Sequence, residues 1–147
     1  MMAQERFDVL KLENQLCFPL YACSREVIKR CRPCLDALGL TYTQYIVMLV
    51  ILEEGTVSVR DLGRRLYLDS GTLTPVLKTL EQQELVHRER SRQDERVLLV
   101  TPTAKGKALR AEALEQLPDM ALHTGLNTEE EAQLSALLYK VLANIDK

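Results

Sequence analysis

Apolar residues near both ends of the chain recur with the period of an α-helix. The N-terminal set comprises Leu12, Leu16, Leu20, Cys23, Val27 and Cys31. Its steps of three and four residues predict an amphipathic helix that ends at Pro33 and Gly39. Pro19 falls inside this helix although it donates no backbone hydrogen bond. A last helix is predicted from an N-cap at Thr128, because three glutamates follow in the first turn, where the helix dipole favours negative charge.

The middle of the chain begins with two predicted helices. Thr43 is the expected N-cap of the first, which runs to about Glu54. Apolar residues on every side of this helix indicate that it is buried, and Gly55 stops it. Ser58 is the expected N-cap of the second, a short helix over Val59–Leu66.

A third helix follows and carries polar residues at its start. Asp69 or Ser70 is its expected N-cap, and apolar residues face inward as far as about Gln83. Pro75 lies close to the start and lacks the N–H that a helix interior needs. Either the helix begins at Pro75 with Thr74 as its cap, or one backbone hydrogen bond near its start is missing.

Two short strands are predicted next, at residues 85–90 and 97–101, and a polar turn joins them. Helical spacing returns from Thr103 and continues until shortly before Pro118. The predicted fold class is therefore mainly α (α+β). It is a winged helix-turn-helix with flanking N- and C-terminal helices.

The flanking helices predict a dimer. They are too apolar to remain exposed, and they lie too far along the chain from the middle to be covered by it. Pairing with the same helices of a second chain would bury them around a two-fold axis. We expect residues 43–102 to form the DNA-binding lobe, and residues 8–40 and 103–147 to form the dimerisation region.

Composition fits one folding unit. The chain has 147 residues, of which 46% are apolar and 27% charged, so wholesale disorder is excluded. Its net charge of −2 means that nucleic-acid binding requires a local basic patch. The longest apolar run has eight residues, short of the roughly 20 that cross a bilayer, and the first residues lack the apolar core of a signal peptide. We expect a cytoplasmic protein with no membrane association and no cofactor.

The start of the third helix has the chemistry of a DNA-reading surface. In a helix-turn-helix, the second helix lies in the major groove with its first residues at the base edges. Asp69, Ser70, Thr72 and Thr74 provide short polar groups there, and Lys78 can reach a phosphate. The alternative is a polar, solvent-facing helix in an unrelated bundle.

The predicted hairpin is rich in arginine. Arg88, Arg92 and Arg96 are candidate DNA contacts, because a wing places arginine in the narrow, electronegative minor groove. Asp94 is two residues from Arg96 and can pair with it to fix the guanidinium. An ordinary solvated hairpin would also be charged, so the preceding helix-turn-helix is what favours a DNA-binding wing.

Four cysteines lie within eighteen residues of one another: Cys17, Cys23, Cys31 and Cys34. A secreted disulfide scaffold would spread them along the chain, so reduced thiols are expected. Structural zinc needs four ligands, and no matching second pair is present, so no metal is expected. Cys31 and Cys34 have the spacing of a redox pair but lie at the end of a helix, and Cys23 is expected in the core.

Cys17 is the candidate redox residue. Peroxides oxidise thiolate rather than thiol, and Phe18 gives this cysteine apolar surroundings suited to an organic peroxide. If the helix restarts at Pro19, then Cys17 lies just before an N-terminus whose dipole favours the thiolate. The alternative is that Cys17 is buried and packs as a small hydrophobe.

Several of these segments resemble a known family. Residues 94–101, Asp-Glu-Arg-Val-Leu-Leu-Val-Thr, are similar to the wing signature of MarR-type transcriptional regulators. Residues 12–18, Leu-Glu-Asn-Gln-Leu-Cys-Phe, together with Tyr21 and residues 66–75, resemble the OhrR branch, whose members are repressors that sense organic hydroperoxides. The resemblance covers nearly the whole chain in the same order.

The resemblance implies roles for individual residues. Cys17 matches the peroxide-sensing cysteine, Tyr42 a tyrosine that hydrogen-bonds the thiolate across the dimer, and Tyr21 a supporting residue. Cys31 stands where the family usually has a second tyrosine. Either Cys31 of the partner chain forms a disulfide with oxidised Cys17, or it is inert packing. The two-cysteine members carry a resolving cysteine in the C-terminal helices, whereas this chain has none after Cys34.

The predicted function is a homodimeric repressor, not an enzyme. It binds a pseudo-palindromic operator in double-stranded DNA and releases it when an organic hydroperoxide oxidises Cys17. One alternative is a MarR-type regulator that responds to a phenolic or drug-like ligand. An alternative of another class is a thiol peroxidase that uses Cys17 catalytically.

Overall fold

A computed structural model describes residues 8–120 and 123–145 of the chain. Their order of elements is that of a winged helix-turn-helix between flanking helices, as predicted. The elements are a 3₁₀ turn at Leu12–Asn14, α1 Cys17–Leu38, α2 Tyr42–Glu54, β1 Val57–Ser58, α3 Val59–Leu66, α4 Ser70–Gln82, β2 Val86–Arg90, β3 Leu98–Pro102, α5 Ala104–Met120 and α6 Thr128–Ile145.

Helix α1 begins later than the sequence predicts, and it passes Pro33 before it ends at the predicted Gly39. It starts at Cys17, so Pro19 lies in the first turn, where a missing N–H costs no hydrogen bond. It continues through Pro33 and ends at Gly39, whose left-handed backbone has φ 71°. The prediction that Pro33 ends the helix is therefore wrong. Buried apolar residues on both sides of that proline, among them Leu35, hold the helix against the core.

Helix α2 forms the centre of the core. Thr41 caps it: the Thr41 hydroxyl accepts from the Gln44 N–H at 3.2 Å, and the Gln44 side chain accepts from the Thr41 N–H at 3.0 Å. The predicted cap at Thr43 is wrong, because Thr41 is the residue with an extended backbone placed three positions before a glutamine. The helix ends at Gly55 as predicted. Its buried residues are Val47, Met48, Val50 and Ile51.

The two helices of the helix-turn-helix approach each other closely. The Ser58 hydroxyl accepts from the Asp61 N–H and caps α3 as predicted. The turn passes through Tyr67, which has the left-handed φ of 56°. A Cβ atom on Gly63 would lie 2.6 Å from the Leu68 carbonyl oxygen, so the turn folds back onto a position that only glycine fits.

The wing is an antiparallel sheet with strand order β1-β3-β2. Strand β2 pairs with β3 so that Arg88 lies opposite Val100, and β1 pairs with the other edge of β3. The two-residue strand β1 was not predicted. Val100 is fully buried, and this attaches the sheet to the lobe.

Helix α5 joins the wing to α1 and α2, on which it packs. The Thr103 hydroxyl accepts from the Gly106 N–H at 3.0 Å and caps the helix. A Cβ atom on Gly106 would lie 2.1 Å from the Leu85 carbonyl oxygen, so the helix backbone rests directly on the chain that enters β2. The helix passes through Pro118, so the predicted end before that residue is wrong.

Helix α6 contributes no buried residue among those described. Asn127, not the predicted Thr128, caps it, because the Asn127 side chain accepts from the Glu130 N–H at 2.8 Å and the Glu130 carboxylate accepts in return. Large apolar side chains stand exposed here, in the first half of α1 and in the segment just before α1. They include Leu12, Leu16, Leu20, Leu134, Leu137 and Leu138. Both ends of the chain therefore leave apolar surface uncovered in a single protomer.

In the described ranges, 8–120 and 123–145, no single helix is both long and apolar enough to cross a membrane. Taken together, α1 and α2 reach that length and composition, but they are bent by 66° at their junction. The apolar character of α2 is explained by its place in the core.

Candidate redox site and nucleic-acid interface

Cys17 is the first residue of α1 and is exposed in the protomer. The alternative of a buried packing cysteine is therefore wrong for a single protomer. Its apolar neighbours are exposed as well: Leu16 by 68% and Phe18 by 42% of their surface. A thiol in this position is open to an oxidant that carries an apolar group.

Two side chains without a predicted role hold the segment before Cys17. The Asn14 side-chain amide donates to the Asp8 carbonyl at 2.8 Å, and the Gln15 side-chain amide donates to the Val9 carbonyl at 3.1 Å. These bonds fold the preceding segment back on itself through the 3₁₀ turn. The entry of the chain into α1 is thereby fixed.

Tyr21 lies one helical turn after Cys17 on the same side of α1 and is 60% exposed. The Arg25 guanidinium, one turn further, lies 5.5 Å from the centre of the Tyr21 ring. This is the geometry of a cation–π contact, which holds the ring alongside the helix.

Cys17 and Tyr21 form one cluster, at the start of α1, and Tyr42 belongs to a second cluster, at the start of α2. Its ring centre is 6.3 Å from that of Tyr45, and Cys31 lies close by with only 5% of its surface exposed. Burial raises the pKa of Tyr42 above its ordinary value, and the proximity of Cys31 and Tyr45 raises it further. The Tyr42 hydroxyl thus stays protonated at neutral pH and can donate a hydrogen bond.

The two clusters are far apart within one protomer. Cys17 and Cys31 lie on one continuous helix, and fourteen residues at 1.5 Å each separate them by about 21 Å. Because Tyr42 lies beside Cys31, it cannot reach Cys17 of its own chain. Any contact between them requires a second chain.

The remaining cysteines differ from each other in exposure. Cys23 is exposed, so its predicted place in the core is wrong. It lies in the half of α1 that the protomer does not cover. Cys34 is buried next to Cys31, and all four cysteines are free. Among residues 8–120 and 123–145, no group of three or more potential ligands could hold a metal ion.

At the start of the recognition helix α4, Asp69 is the N-cap. Its carboxylate accepts from the Thr72 N–H at 2.7 Å, and this hydrogen bond holds the pKa of Asp69 below its ordinary value. The residues named from the sequence all point to solvent here. They are Ser70, Thr72, Thr74 and Lys78.

Helix α4 includes Pro75. Of the two predicted alternatives, the one with a missing backbone hydrogen bond near the helix start is therefore correct. The helix begins at Ser70, and Pro75 leaves the Gly71 carbonyl without its helical donor. The Thr74 hydroxyl donates to the Ser70 carbonyl at 2.7 Å in the same turn. Of the polar groups at this end, Ser70 therefore keeps a hydroxyl without a partner in the described residues, whereas that of Thr74 is already engaged.

The predicted Asp94–Arg96 pair is present in the wing. Arg96 Nε lies 3.0 Å from Asp94 Oδ1, and Nη2 lies 3.2 Å from Oδ2. Hydrogen bonds from Arg96 lower the pKa of Asp94, while the Arg96 side chain remains 91% exposed. The guanidinium is thus held in one orientation at the surface. Arg92 is exposed in the turn before it.

Arg88 is not placed as a wing contact. Its guanidinium lies 3.1 Å from Glu81 Oε1, and its backbone N–H donates to Glu81 Oε2 at 2.9 Å. Only 22% of the side chain is exposed. This ion pair anchors β2 to α4, so the structure corrects the prediction that Arg88 binds DNA. The sequence could not reveal it, because the partner lies on another element.

An apolar cavity of about 470 Å³ lies between the end of α1, α2 and α5. Its volume falls within the range of small-molecule sites. Glu53 and Arg110 supply charged groups to its lining. The apolar lining residues are Leu38, Tyr45, Met48, Leu49, Leu52, Leu109, Ala113 and Leu114.

Fold and sequence together define the class of protein. Residues 29–113 match a family model described as transcriptional regulator SarA/Rot. With its winged lobe, its apolar flanking helices and the Asp94–Arg96 pair, the chain belongs to the MarR-type transcriptional regulators.

Individual relatives are similar over almost their full length. The organic hydroperoxide resistance transcriptional regulator of Bacillus subtilis (strain 168) is 46% identical over 143 residues, which cover 97% of each chain. The HTH-type transcriptional regulator SarZ of Staphylococcus epidermidis (strain RP62A) is 41% identical over 92% of this chain and 93% of its own. Reduced AbfR bound to DNA superimposes with a TM-score of 0.83 at 34% identity, over 95% of this chain and 98% of that one.

Proposed function

We propose that the protein is a cytoplasmic, homodimeric repressor that releases its operator when an organic hydroperoxide oxidises Cys17. The observation that carries this is the exposed thiol at the start of α1, surrounded by exposed apolar side chains. A relative with 46% identity is named for organic hydroperoxide resistance, and AbfR binds DNA in its reduced form.

The exposed apolar side chains near both ends of the chain support a dimer. The first half of α1 and the whole described part of α6 expose leucines that a monomer leaves in water. Residues 8–40 and 103–147 form the dimerisation region, and residues 43–102 form the lobe that reads one half-site of a pseudo-palindromic operator. Two lobes related by a two-fold axis match two half-sites one helical turn, or a multiple, apart.

The oxidation is a two-electron reaction. The Cys17 thiolate attacks the terminal oxygen of the hydroperoxide; a sulfur–oxygen bond forms, the oxygen–oxygen bond breaks, and the alkoxide takes up a proton to leave as an alcohol. The sulfur becomes a sulfenic acid. The protonated hydroxyl of the partner's Tyr42 can donate a hydrogen bond first to the thiolate and then to the new oxygen.

A thiol then condenses with the sulfenic acid to give a disulfide and water. Cys31 of the partner stays a candidate, but its burial means that α1 would have to open before the sulfurs could meet. A small thiol needs no such rearrangement, and we therefore favour it. The mixed disulfide with a small thiol adds volume at the dimer interface, whereas a disulfide with Cys31 would draw the two chains together. Either change displaces the lobes, and a 100-fold loss of DNA affinity needs about 2.7 kcal/mol of coupling.

The decisive experiment compares single-cysteine variants. Reduced wild type, Cys17→Ser and Cys23→Ser are titrated with duplex DNA selected by the wild type, before and after cumene hydroperoxide. Cys23→Ser is the matched control, because it removes another exposed thiol from the same helix. Wild type and Cys23→Ser should lose binding, and Cys17→Ser should keep it. Release from Cys17→Ser would overturn the proposal.

The apolar cavity supports a second candidate function, a regulator that responds to a small aromatic acid. Arg110 offers a carboxylate partner beside an apolar lining. NadR, one of the similar structures, was determined with 4-hydroxyphenylacetate. If this ligand releases DNA from Cys17→Ser at the concentration that saturates the protein, then the ligand, not oxidation, is the signal.

We infer that the protein is not a thiol peroxidase. Without a reductant, a sensor consumes one hydroperoxide per Cys17 and stops. Excess dithiothreitol regenerates the Cys17 thiol by thiol–disulfide exchange, so later consumption should run only as fast as that exchange and well below the rate of the first equivalent. Sustained turnover at the rate of the first equivalent, abolished by Cys17→Ser, would favour the enzyme.

A further inference from the structure

We propose that Arg60 binds the DNA backbone at the point where one strand passes from the recognition helix to the wing. This inference rests on the proposed DNA-binding function and adds a residue that is not among the predicted DNA contacts. Arg60 is the second residue of α3, a helix that does not itself read bases.

Arg60 lies between the two parts of the DNA-binding surface. It lines a cleft together with Asp69 and Ser70, at the start of α4. It also lines a second cleft, with Asp94 and Arg96 of the wing. These clefts share the α3 residues Val59 and Arg60, so this first turn of α3 separates the recognition helix from the wing.

The geometry of the DNA duplex determines which part of the DNA lies over Arg60. Adjacent major and minor grooves are separated by a single sugar-phosphate strand. If α4 enters the major groove and Arg96 the neighbouring minor groove, that strand has to run over the surface between them. A cation at this position contacts a phosphate and sets the register of both reading elements without reading a base.

Charge pairing favours Arg60 over its neighbours for this role. Helix α3 carries three arginines, and two already have acidic partners: Arg64 is 3.9 Å from Asp61, and Arg65 pairs with Glu53 and Glu54. Arg60 is exposed and has no acidic partner in the part of the chain that the structure describes. Its charge is available for a phosphate.

The test measures the salt dependence of DNA binding. Reduced wild type, Arg60→Gln, Arg60→Lys and Lys107→Gln are titrated by fluorescence anisotropy over a range of salt concentrations. Each is titrated against a duplex selected by the wild type and against a scrambled duplex. Lys107 is an exposed cation on α5 and serves as the charge-matched control. Thermal melting checks that the variants fold.

Arg60→Gln should weaken binding to both duplexes by the same factor. It should lower the slope of log affinity against log salt by about 1.8 for a dimer, at about 0.9 per phosphate contact. Arg60→Lys should retain the wild-type slope, and Lys107→Gln should leave it unchanged. A folded Arg60→Gln protein with the wild-type slope would overturn this inference and leave the proposed function standing. Failure of the wild type to bind any duplex would overturn the proposed function with it.

Discussion

The lobe and the two ends of the chain use the same kinds of apolar residue to different effect. In the lobe, Met48, Ile51 and Leu62 are at most 1% exposed, so the protomer completes this core alone. In α6, Leu137 and Tyr139 are 59% and 66% exposed although the helix is regular and well capped. Helical periodicity thus identifies a face that needs covering, but not whether the same chain or another one covers it.

The largest effect should come from truncating a side chain in the lobe. Ile51→Ala removes a fully buried side chain, so the free energy of unfolding should fall by about 2–5 kcal/mol. Urea denaturation measures this. Leu137→Ala on α6 is the matched change at the exposed end, and it should mainly raise the dimer dissociation constant, measured by sedimentation equilibrium. Equal effects of both variants on the dissociation constant would remove the distinction between the two regions.

Gly106→Ala tests how tightly α5 rests on the lobe. In an ordinary helix this change stabilises by about 1 kcal/mol. Here the new Cβ would meet the Leu85 carbonyl oxygen at 2.1 Å, so we expect destabilisation of about 1–3 kcal/mol from overpacking. Thermal unfolding gives the sign directly. The control is Ala108→Gly, at an exposed position of the same helix, which should cost only the helix propensity. Stabilisation by Gly106→Ala would mean that α5 can move away from Leu85.

The smallest effect concerns the ion pair inside the lobe. Hydrogen bonds from Arg88 hold the pKa of Glu81 below its ordinary value of 4.5, so its contribution to stability is present above that pH. The contribution is lost as pH falls through the lowered folded pKa. Since both side chains are partly exposed, it should amount to less than about 1 kcal/mol. Glu81→Gln should accordingly be less stable than wild type at pH 7, and the difference should shrink in acid. A constant difference across the acid range would show that the charge of Glu81 does not matter.

Local signals predicted most of the fold. Helix α3 has the predicted bounds because Ser58 caps it and the close approach at Gly63 allows little variation. The N-caps were predicted wrongly where two residues that can cap a helix lie within two positions of each other, as Thr41 and Thr43 do. Pro33 and Pro118 did not end their helices. Tertiary packing, as around Pro33, can compensate for one missing hydrogen bond.

In the candidate site, contacts between residues close along the chain could be predicted, whereas contacts between different helices and strands could not. Asp94 and Arg96 are two residues apart, and their pairing could be read from the sequence. Arg88 is held by Glu81 on another helix, and Cys23 lies in a half of α1 that the protomer leaves open. The position of Arg60 between recognition helix and wing depends on three elements at once, so no sequence spacing indicates it.

The length of α1 has a consequence for genetics. In the proposed sensor, the thiol at one end of this rod meets the phenol of the partner chain, so each dimer would carry two composite sensors whose halves come from different polypeptides. A cell that makes Cys17→Ser and Tyr42→Phe subunits together would assemble some mixed dimers with one sensor entirely wild type and the other lacking both groups. Such a strain should respond to peroxide more strongly than a strain that makes either variant alone.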